Sequence, residues 1–135
     1  MIFLVTLFLC GFFLNIIWEF LHWRLYTTAL LMPSRQRYAL LFKMSLHDGF
    51  NIVWAHGIAA ILARTPLQSP SVLTFTLLSV ILLLFAFFDE RISVVRGRWE
   101  YDKSMPLVLG VGLSPLLELA VTGPMALLVT FQIIR

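Results

Sequence analysis

Four long apolar stretches alternate with short polar segments along this chain. Each stretch is long enough to cross a hydrocarbon core of ~30 Å as a helix, at about 1.5 Å of rise per residue. We therefore predict an all-α, polytopic integral membrane protein, an antiparallel bundle of four transmembrane helices in a single domain, 1–135. The predicted spans are 2–22, 44–63, 71–88 and 106–134, and loops 23–43 and 89–105 lie on one side of the membrane.

The fourth apolar stretch differs from the others because glycine and proline interrupt it. These residues are Gly110, Gly112, Pro115, Gly123 and Pro124. Small residues let a neighbouring helix approach closely, whereas a discontinuous helix can line a cavity. We expect the fourth helix to be kinked or broken within this stretch.

The composition supports a lipid-facing surface. Hydrophobic residues make up 60% of the chain and charged residues 13%, about half the charge of an ordinary soluble domain. No basic stripe with interleaved aromatic residues is present, so nucleic acid is not an expected partner, and membrane lipid is. The single cysteine, Cys10, excludes a disulfide within the chain.

Positive charge predicts the orientation. Of the ten Lys and Arg residues, eight fall in the two predicted loops. They are Arg24, Arg35, Arg37, Lys43, Arg91, Arg96, Arg98 and Lys103. The positive-inside rule places these loops in the cytoplasm and both termini outside. We expect a multi-pass membrane protein, which in a bacterium would lie in the cytoplasmic (inner) membrane.

Polar side chains inside the predicted spans fall at similar depths. A charged side chain near the bilayer centre costs at least ~2.5–3.5 kcal/mol, so such residues need partners or a function. Counted from the cytoplasmic boundary, the polar residues sort into three layers. These are Glu19, His22, His47, Asp48 and Glu90 at the mouth, Asn15 with Asn51 below it, and His56 with Glu118 near the midplane. Depth does not fix the rotation of each helix, so a polar seam that packs helices together is the alternative.

A Glu-x-x-His pair makes the mouth a candidate metal site. Glu19 and His22 lie one turn apart on one helical face, and His47 and Asp48 lie at the same depth. Imidazole and carboxylate ligands suit a zinc, iron or manganese ion, so a divalent metal is the candidate cofactor. In the alternative interpretation, Glu19 pairs with His47 or Arg24 and no ion binds.

The same residues could perform acid–base chemistry. Glu19, His22, His47, Asp48 and Glu90 are the candidate catalytic residues, since burial tunes such groups for proton transfer. The candidate substrate-binding residues are Asn15, Asn51, His56 and Glu118 within the spans and Arg96, Arg98, Trp99 and Tyr101 in the second loop. Arginine suits an anionic lipid headgroup, although plain anchoring to anionic lipid is the simpler role of such charges.

Three functions from different classes remain open. The first is a membrane-embedded enzyme that acts on a lipid or isoprenoid-like substrate from the cytoplasmic leaflet. The second is a small transporter or proton-coupled carrier, which at this size would form a homo-oligomer. The third is a non-catalytic membrane assembly subunit. Signatures of small multidrug transporters, CDP-alcohol transferases, prenyltransferases and lipid phosphatases are not found in the sequence.

Overall fold

The computed structural model describes residues 1–134, and this part of the chain is mostly helical. The elements are α1 (Ile2–His22), α2 (Thr27–Leu31), α3 (Ser34–Ala63), α4 (Val72–Val95), β1 (Leu107–Val108), β2 (Val111–Gly112) and α5 (Leu113–Ile134). A 3₁₀ turn, Trp23–Leu25, follows α1 directly.

In the described part of the chain, three helices are long and apolar enough to cross a membrane. They are Ile2–Leu25, which joins α1 to the 3₁₀ turn, Val72–Val95 and Leu113–Ile134. The prediction of helices with the length and apolarity of membrane spans is confirmed for these three. Although α3 has 30 residues, it does not meet the same criterion of apolar length.

The four long helices pack in a ring. Helix α1 packs against α3 and α5, and α4 packs against the same two helices. Phe3 contacts the ring of His56, whereas Phe12, later in α1, contacts Phe42, which is earlier in α3. Helices α1 and α3 are therefore antiparallel. The core lies between the helices and is filled mainly by aliphatic side chains, among them Leu7, Ile52, Leu78, Leu82 and Leu127.

Helix α5 is antiparallel to both of its neighbours. His22 near the end of α1 contacts Ser114 at the start of α5, and Asn15 contacts Thr122 further along. Leu82 of α4 likewise packs against Gly123 of α5, and Arg91, later in α4, lies beside Gly110, just before α5. Because α1 and α4 both oppose α5, these two helices run in the same direction.

Two helices extend into the segments predicted as loops. Helix α3 begins at Ser34, directly after Pro33, because the following residues are mostly good helix formers. Helix α4 continues past the predicted end at residue 88 to Val95. It stops only before Gly97, whose φ of 66° is incompatible with a right-handed helix. Asp89 and Glu90 are therefore helical residues rather than loop residues.

The fourth apolar stretch starts with a hairpin, not a helix. Strands β1 and β2 pair in antiparallel register around Leu109 and Gly110, which have φ of 52° and 79°. Two successive positive φ values are typical of the type I′ turn, whose twist matches that of paired strands. A Cβ atom at Gly110 would also lie 2.8 Å from Arg91 Nη1. The predicted helical start at residue 106 is therefore wrong, and α5 begins at Leu113.

The predicted kink or break by glycine and proline is found in part. The stretch is not helical at Gly110 and Gly112, whereas α5 is continuous from Leu113 to Ile134, and a kink at Pro124 stays a prediction. Pro115 lies in the first turn, where the missing N–H would have no helical partner anyway. Gly123 permits the close approach of Leu82. The small residues of α5 therefore act through packing.

Candidate metal centre and cavity

A cavity of about 280 Å³ lies where α1 and α4 end and α5 begins. This is the end of the ring that carries the two basic segments, 23–43 and 89–105. Five of the seven acidic residues of the chain line it: Glu19, Asp48, Asp89, Glu90 and Glu118. Among residues 1–134, the lining contains one Arg, Arg98, and no Lys. The cavity is thus strongly acidic in a chain whose formal net charge is +3.

Three buried side chains converge at one wall of the cavity. Glu19, His22 and Glu118 each offer a ligand atom, and these atoms all lie within 4.8 Å of one another. His22 Nε2 is 3.0 Å from Glu19 Oε2 and 3.6 Å from Glu118 Oε2. The Glu-x-x-His pair of α1 is therefore completed by a carboxylate from the last helix.

Helix periodicity explains this convergence. Glu19 and His22 are one turn apart on α1, and Ser114 and Glu118 are one turn apart on α5, so each pair projects from one face. Ser114 Oγ lies 2.7 Å from His22 Nδ1. This contact fixes the imidazole so that Nε2 faces the two carboxylates, as outer hydrogen bonds do for metal-bound histidines.

Glu118 retains one unused oxygen. Its Oε1 atom is buried and has no hydrogen-bond partner among residues 1–134. A buried carboxylate oxygen without a partner is costly, because it loses water and gains no hydrogen bond in return. One imidazole and two carboxylates are a common ligand set for zinc, iron and manganese, and three protein ligands leave further positions open. The trio therefore has the chemistry of an open metal site.

Glu90 lies in the same cavity but is held by three donors. Its Oε1 accepts hydrogen bonds from Tyr26 Oη at 3.0 Å and Tyr101 Oη at 2.9 Å, and its Oε2 accepts one from Trp99 Nε1 at 3.1 Å. Burial, followed by the charge of Glu90, raises the pKa of the Tyr26 phenol, so that the hydroxyl stays protonated as a donor. These three hydrogen bonds hold the Glu90 carboxylate in place at the cavity wall.

The donors to Glu90 come from two segments that are tied together. Tyr26 and Tyr101 form an antiparallel bridge, and the Asp102 N–H donates to the Leu25 carbonyl at 2.8 Å. Thr27 Oγ1 also donates to the Tyr101 carbonyl at 3.1 Å. The segment after α1 and the segment before the hairpin thus form one continuous wall above Glu90.

Of the four predicted metal ligands, Glu19 and His22 belong to the trio, whereas His47 and Asp48 do not. His47 is exposed on α3 and does not line the cavity, and its Nδ1 lies 3.5 Å from Asn51 Nδ2. Adjacent helical residues point about 100° apart, so Asp48 faces the cavity while His47 does not. Asp48 is buried in the lining but is not part of the close trio. Glu118 occupies the place that the sequence assigned to His47.

The deep pair of His56 and Glu118 does not form. His56 Nε2 lies 3.0 Å from the Leu67 carbonyl, whereas Glu118 faces His22. The reason is the late start of α5 at Leu113, which places Glu118 in the second turn, beside the cavity. Counted from the predicted helix start at residue 106, Glu118 would lie deeper, near the midplane of the bilayer.

The predicted asparagine layer also separates into two sites. Asn15 Oδ1 accepts a hydrogen bond from Thr122 Oγ1 at 3.0 Å. Asn51 donates to Asp48 Oδ1 at 3.4 Å and accepts from Trp54 Nε1 at 3.0 Å. Each asparagine has its own partners, and neither lines the cavity. The bond between Asn15 and Thr122 joins α1 to α5 and matches the helix-packing alternative, whereas the bonds of Asn51 stay within α3.

The loop residues divide in a similar way. Arg98 and Trp99 line the cavity, Tyr101 reaches it only through Glu90, and Arg96 is exposed outside it.

Ser114 is a site residue that the sequence did not predict, because it lies in a Gly- and Pro-rich segment that is typical of helix packing. Its spacing of four residues from Glu118 was the available signal.

Comparison of the chain with family models, with curated proteins and with solved structures gives no match.

Proposed function

We propose that this chain is a metal-dependent, membrane-embedded enzyme that acts on a lipid or isoprenoid-like substrate from the cytoplasmic leaflet. The observation that carries the proposal is the buried trio of Glu19, His22 and Glu118, whose ligand atoms lie within 4.8 Å at the wall of a cavity. The unpartnered Glu118 Oε1 supports an ion as the missing partner, because an ion would compensate the buried oxygen.

The proposed membrane arrangement has four spans, with α3 as the second. Helices α1 and α4 run in the same direction, so the chain between them must return across the ring, and α3 is the helix that does so. Thirty residues give a length of about 45 Å, which exceeds the hydrocarbon thickness. The polar residues of α3 are tolerable in a span because Asp48, Asn51 and His56 are buried inside the ring.

The cavity has the two kinds of surface that an amphiphilic substrate needs. Acidic side chains, among them the trio, share its lining with apolar ones. The apolar lining residues of α2, α3 and the turn between them, here called the apolar wall, are Ala29, Met32, Leu40, Leu41 and Met44. Ligand sites are commonly apolar with a few converging polar groups. A hydrocarbon chain along this wall would place its headgroup beside the trio.

An ion at the trio would keep open positions for water or for a substrate oxygen. Such an ion acts as a Lewis acid or lowers the pKa of bound water, which supplies a nucleophile near neutral pH. Asp48 and Asp89 also line the cavity and are candidates for proton transfer to or from the bound substrate.

Metal binding by purified protein tests the proposal. After chelation and reloading with Zn²⁺ or Mn²⁺, we expect about one ion per chain by elemental analysis. Glu118→Gln and His22→Ala should each lower the ion affinity by at least about tenfold, within the range seen when a metal ligand or its support is lost. Glu100→Gln is the matched control, because Glu100 is exposed and outside the cavity.

Equal ion content in all four proteins would refute the metal site. Helical content by circular dichroism separates loss of ligand from loss of fold, and Glu118→Asp should retain partial binding. Among the alternatives, the carrier was based on the deep residues Asn15, Asn51, His56 and Glu118 and on a broken fourth helix, and His56 and Glu118 have different partners. No second function is therefore proposed.

A further inference from the structure

The charge of the cavity restricts which headgroup it can accept. Five carboxylates line it against one cationic side chain, Arg98, so acidic groups outnumber basic ones even when the two carboxylates of the trio are set aside for an ion. An anionic headgroup would meet like charge in a partly buried site, which is unfavourable.

Arg98 does not reverse this balance. Its side chain is exposed, and its Nη1 donates to Ser93 Oγ at 3.4 Å. The expectation from sequence that Arg98 holds an anionic headgroup therefore has little electrostatic support inside the cavity. A positively charged headgroup is the better match.

Two aspartates remain available for such a headgroup after the trio and Glu90 have their partners. Asp48 is 7% exposed, and the hydrogen bond that it receives, from Asn51, is long at 3.4 Å. Asp89 is half-buried and receives no side-chain hydrogen bond or ion pair within residues 1–134. Both line the cavity, from α3 and α4 respectively.

Aromatic side chains complete the surroundings of this end of the cavity. The rings of Tyr26 and Trp99 lie 6.4 Å apart at 88° to each other, and both line the cavity. Trp23 and Phe85 line it as well. Aromatic rings attract organic cations through their negative faces, and one ring of a perpendicular pair can present such a face to a bound cation.

We propose that the organic ligand of this cavity is a monocationic amphiphile, a protonated or quaternary amine with a hydrocarbon tail. The ammonium group binds at Asp48 and Asp89 beside the corner of Tyr26 and Trp99. The tail lies along the wall formed by Leu40, Leu41 and Met44. This inference rests on the proposed function only in that the same cavity is used, because the trio and the two aspartates are different residues.

The test uses three amphiphiles with one tail and different headgroups. Tetradecyltrimethylammonium, tetradecanol and tetradecyl phosphate are titrated into the full chain in phosphatidylcholine nanodiscs, with empty nanodiscs as the baseline for partition. Binding is followed by tryptophan fluorescence and by native mass spectrometry. We expect the ammonium compound to bind at least about tenfold more tightly than the alcohol, and the phosphate to bind most weakly.

Variants locate the binding to the two aspartates. Asp48→Asn and Asp89→Asn should each weaken binding of the ammonium compound by about tenfold and leave binding of the alcohol unchanged, while Glu100→Gln should change neither. Equal or tighter binding of the phosphate would overturn the proposal. So would unchanged binding of the ammonium compound in both aspartate variants.

Ion content measured on the same samples separates this inference from the proposed function. Normal ion content with no preference for the ammonium compound would refute the cationic ligand and leave the proposed function in place. Ammonium selectivity without any bound ion removes the metal-dependent enzyme and leaves the ligand class in place.

Discussion

Glu118 has a different environment for each of its two carboxylate oxygens. One oxygen lies 3.6 Å from His22 Nε2, and the other is buried without a partner in the described residues. Glu19, in contrast, has a direct contact of 3.0 Å with the same imidazole nitrogen. Of the two carboxylates, Glu118 is therefore the one with spare capacity for an additional ligand.

The hydrogen bonds to Glu90 should make a measurable contribution to the free energy of unfolding. Tyr26→Phe and Tyr101→Phe each remove one of its hydrogen bonds, and a bond to a charged acceptor is worth about 1.5 kcal/mol. We expect both variants to lower the free energy of unfolding by about that amount in detergent. Tyr38→Phe is the control, because Tyr38 is exposed and contacts other residues only through its ring.

The double variant Tyr26→Phe/Tyr101→Phe sharpens this prediction. Both hydroxyls donate to the same oxygen, so their losses should not be additive. A loss equal to the sum of the single variants would contradict a shared acceptor, and so would no loss in either single variant.

The sequence predicted the pair of Glu19 and His22, whereas the contact of this pair with Glu118 depends on where α5 begins. Glu19 and His22 followed from spacing on one helix, which is a local property. The partnership with Glu118 required the start of α5, and that start depends on the hairpin at Leu109 and Gly110. In an apolar run, these residues gave no clear turn signal, because glycine there is equally typical of helix packing.

At the scale of elements, the contact between α4 and α5 depends on the lack of a side chain at Gly123. A Cβ atom there would collide with Leu82 Cδ1. We expect Gly123→Ala to lower the free energy of unfolding by about 1–3 kcal/mol, the usual cost of overpacking a core. Gly57→Ala is the matched control, since no atom lies within 4 Å of its added Cβ, and it should be neutral or slightly stabilising.

Truncation of the opposing side chain tests whether packing is the cause. Leu82→Ala should restore part of the stability lost in Gly123→Ala, although it removes buried surface when made alone. If the double variant is as unstable as the sum of the singles, the cost of Gly123→Ala has another origin.

For the whole molecule, the orientation and the passage of α3 through the membrane can be tested together. In a Cys10→Ala background, single cysteines at Ser34, Gln68 and Ser104, all exposed positions, are labelled with a membrane-impermeant thiol reagent. We expect Ser34→Cys and Ser104→Cys to react only from the cytoplasmic side and Gln68→Cys only from outside. Reaction of Ser34→Cys and Gln68→Cys from the same side would show that α3 does not cross.

Hydropathy predicted the three most apolar helices because lipid contact is an average property of a whole segment. It was less informative for α3, because Asp48, Asn51 and His56 are polar although they are buried inside the ring, and because the first turns of α3 lie outside the apolar stretch. The positions of His47 and His56 were not predictable either, since the rotation of a helix depends on its neighbours. Tertiary packing, rather than local sequence, determined which polar residues met.

The contact between His22 and Ser114 joins residues that are 92 positions apart in the chain. During synthesis, the first helix is complete long before the last one emerges from the ribosome. Throughout that interval Glu19 and His22 lack their partners on α5, so this polar pair is incompletely compensated. The site is therefore complete only after α5 has packed against α1.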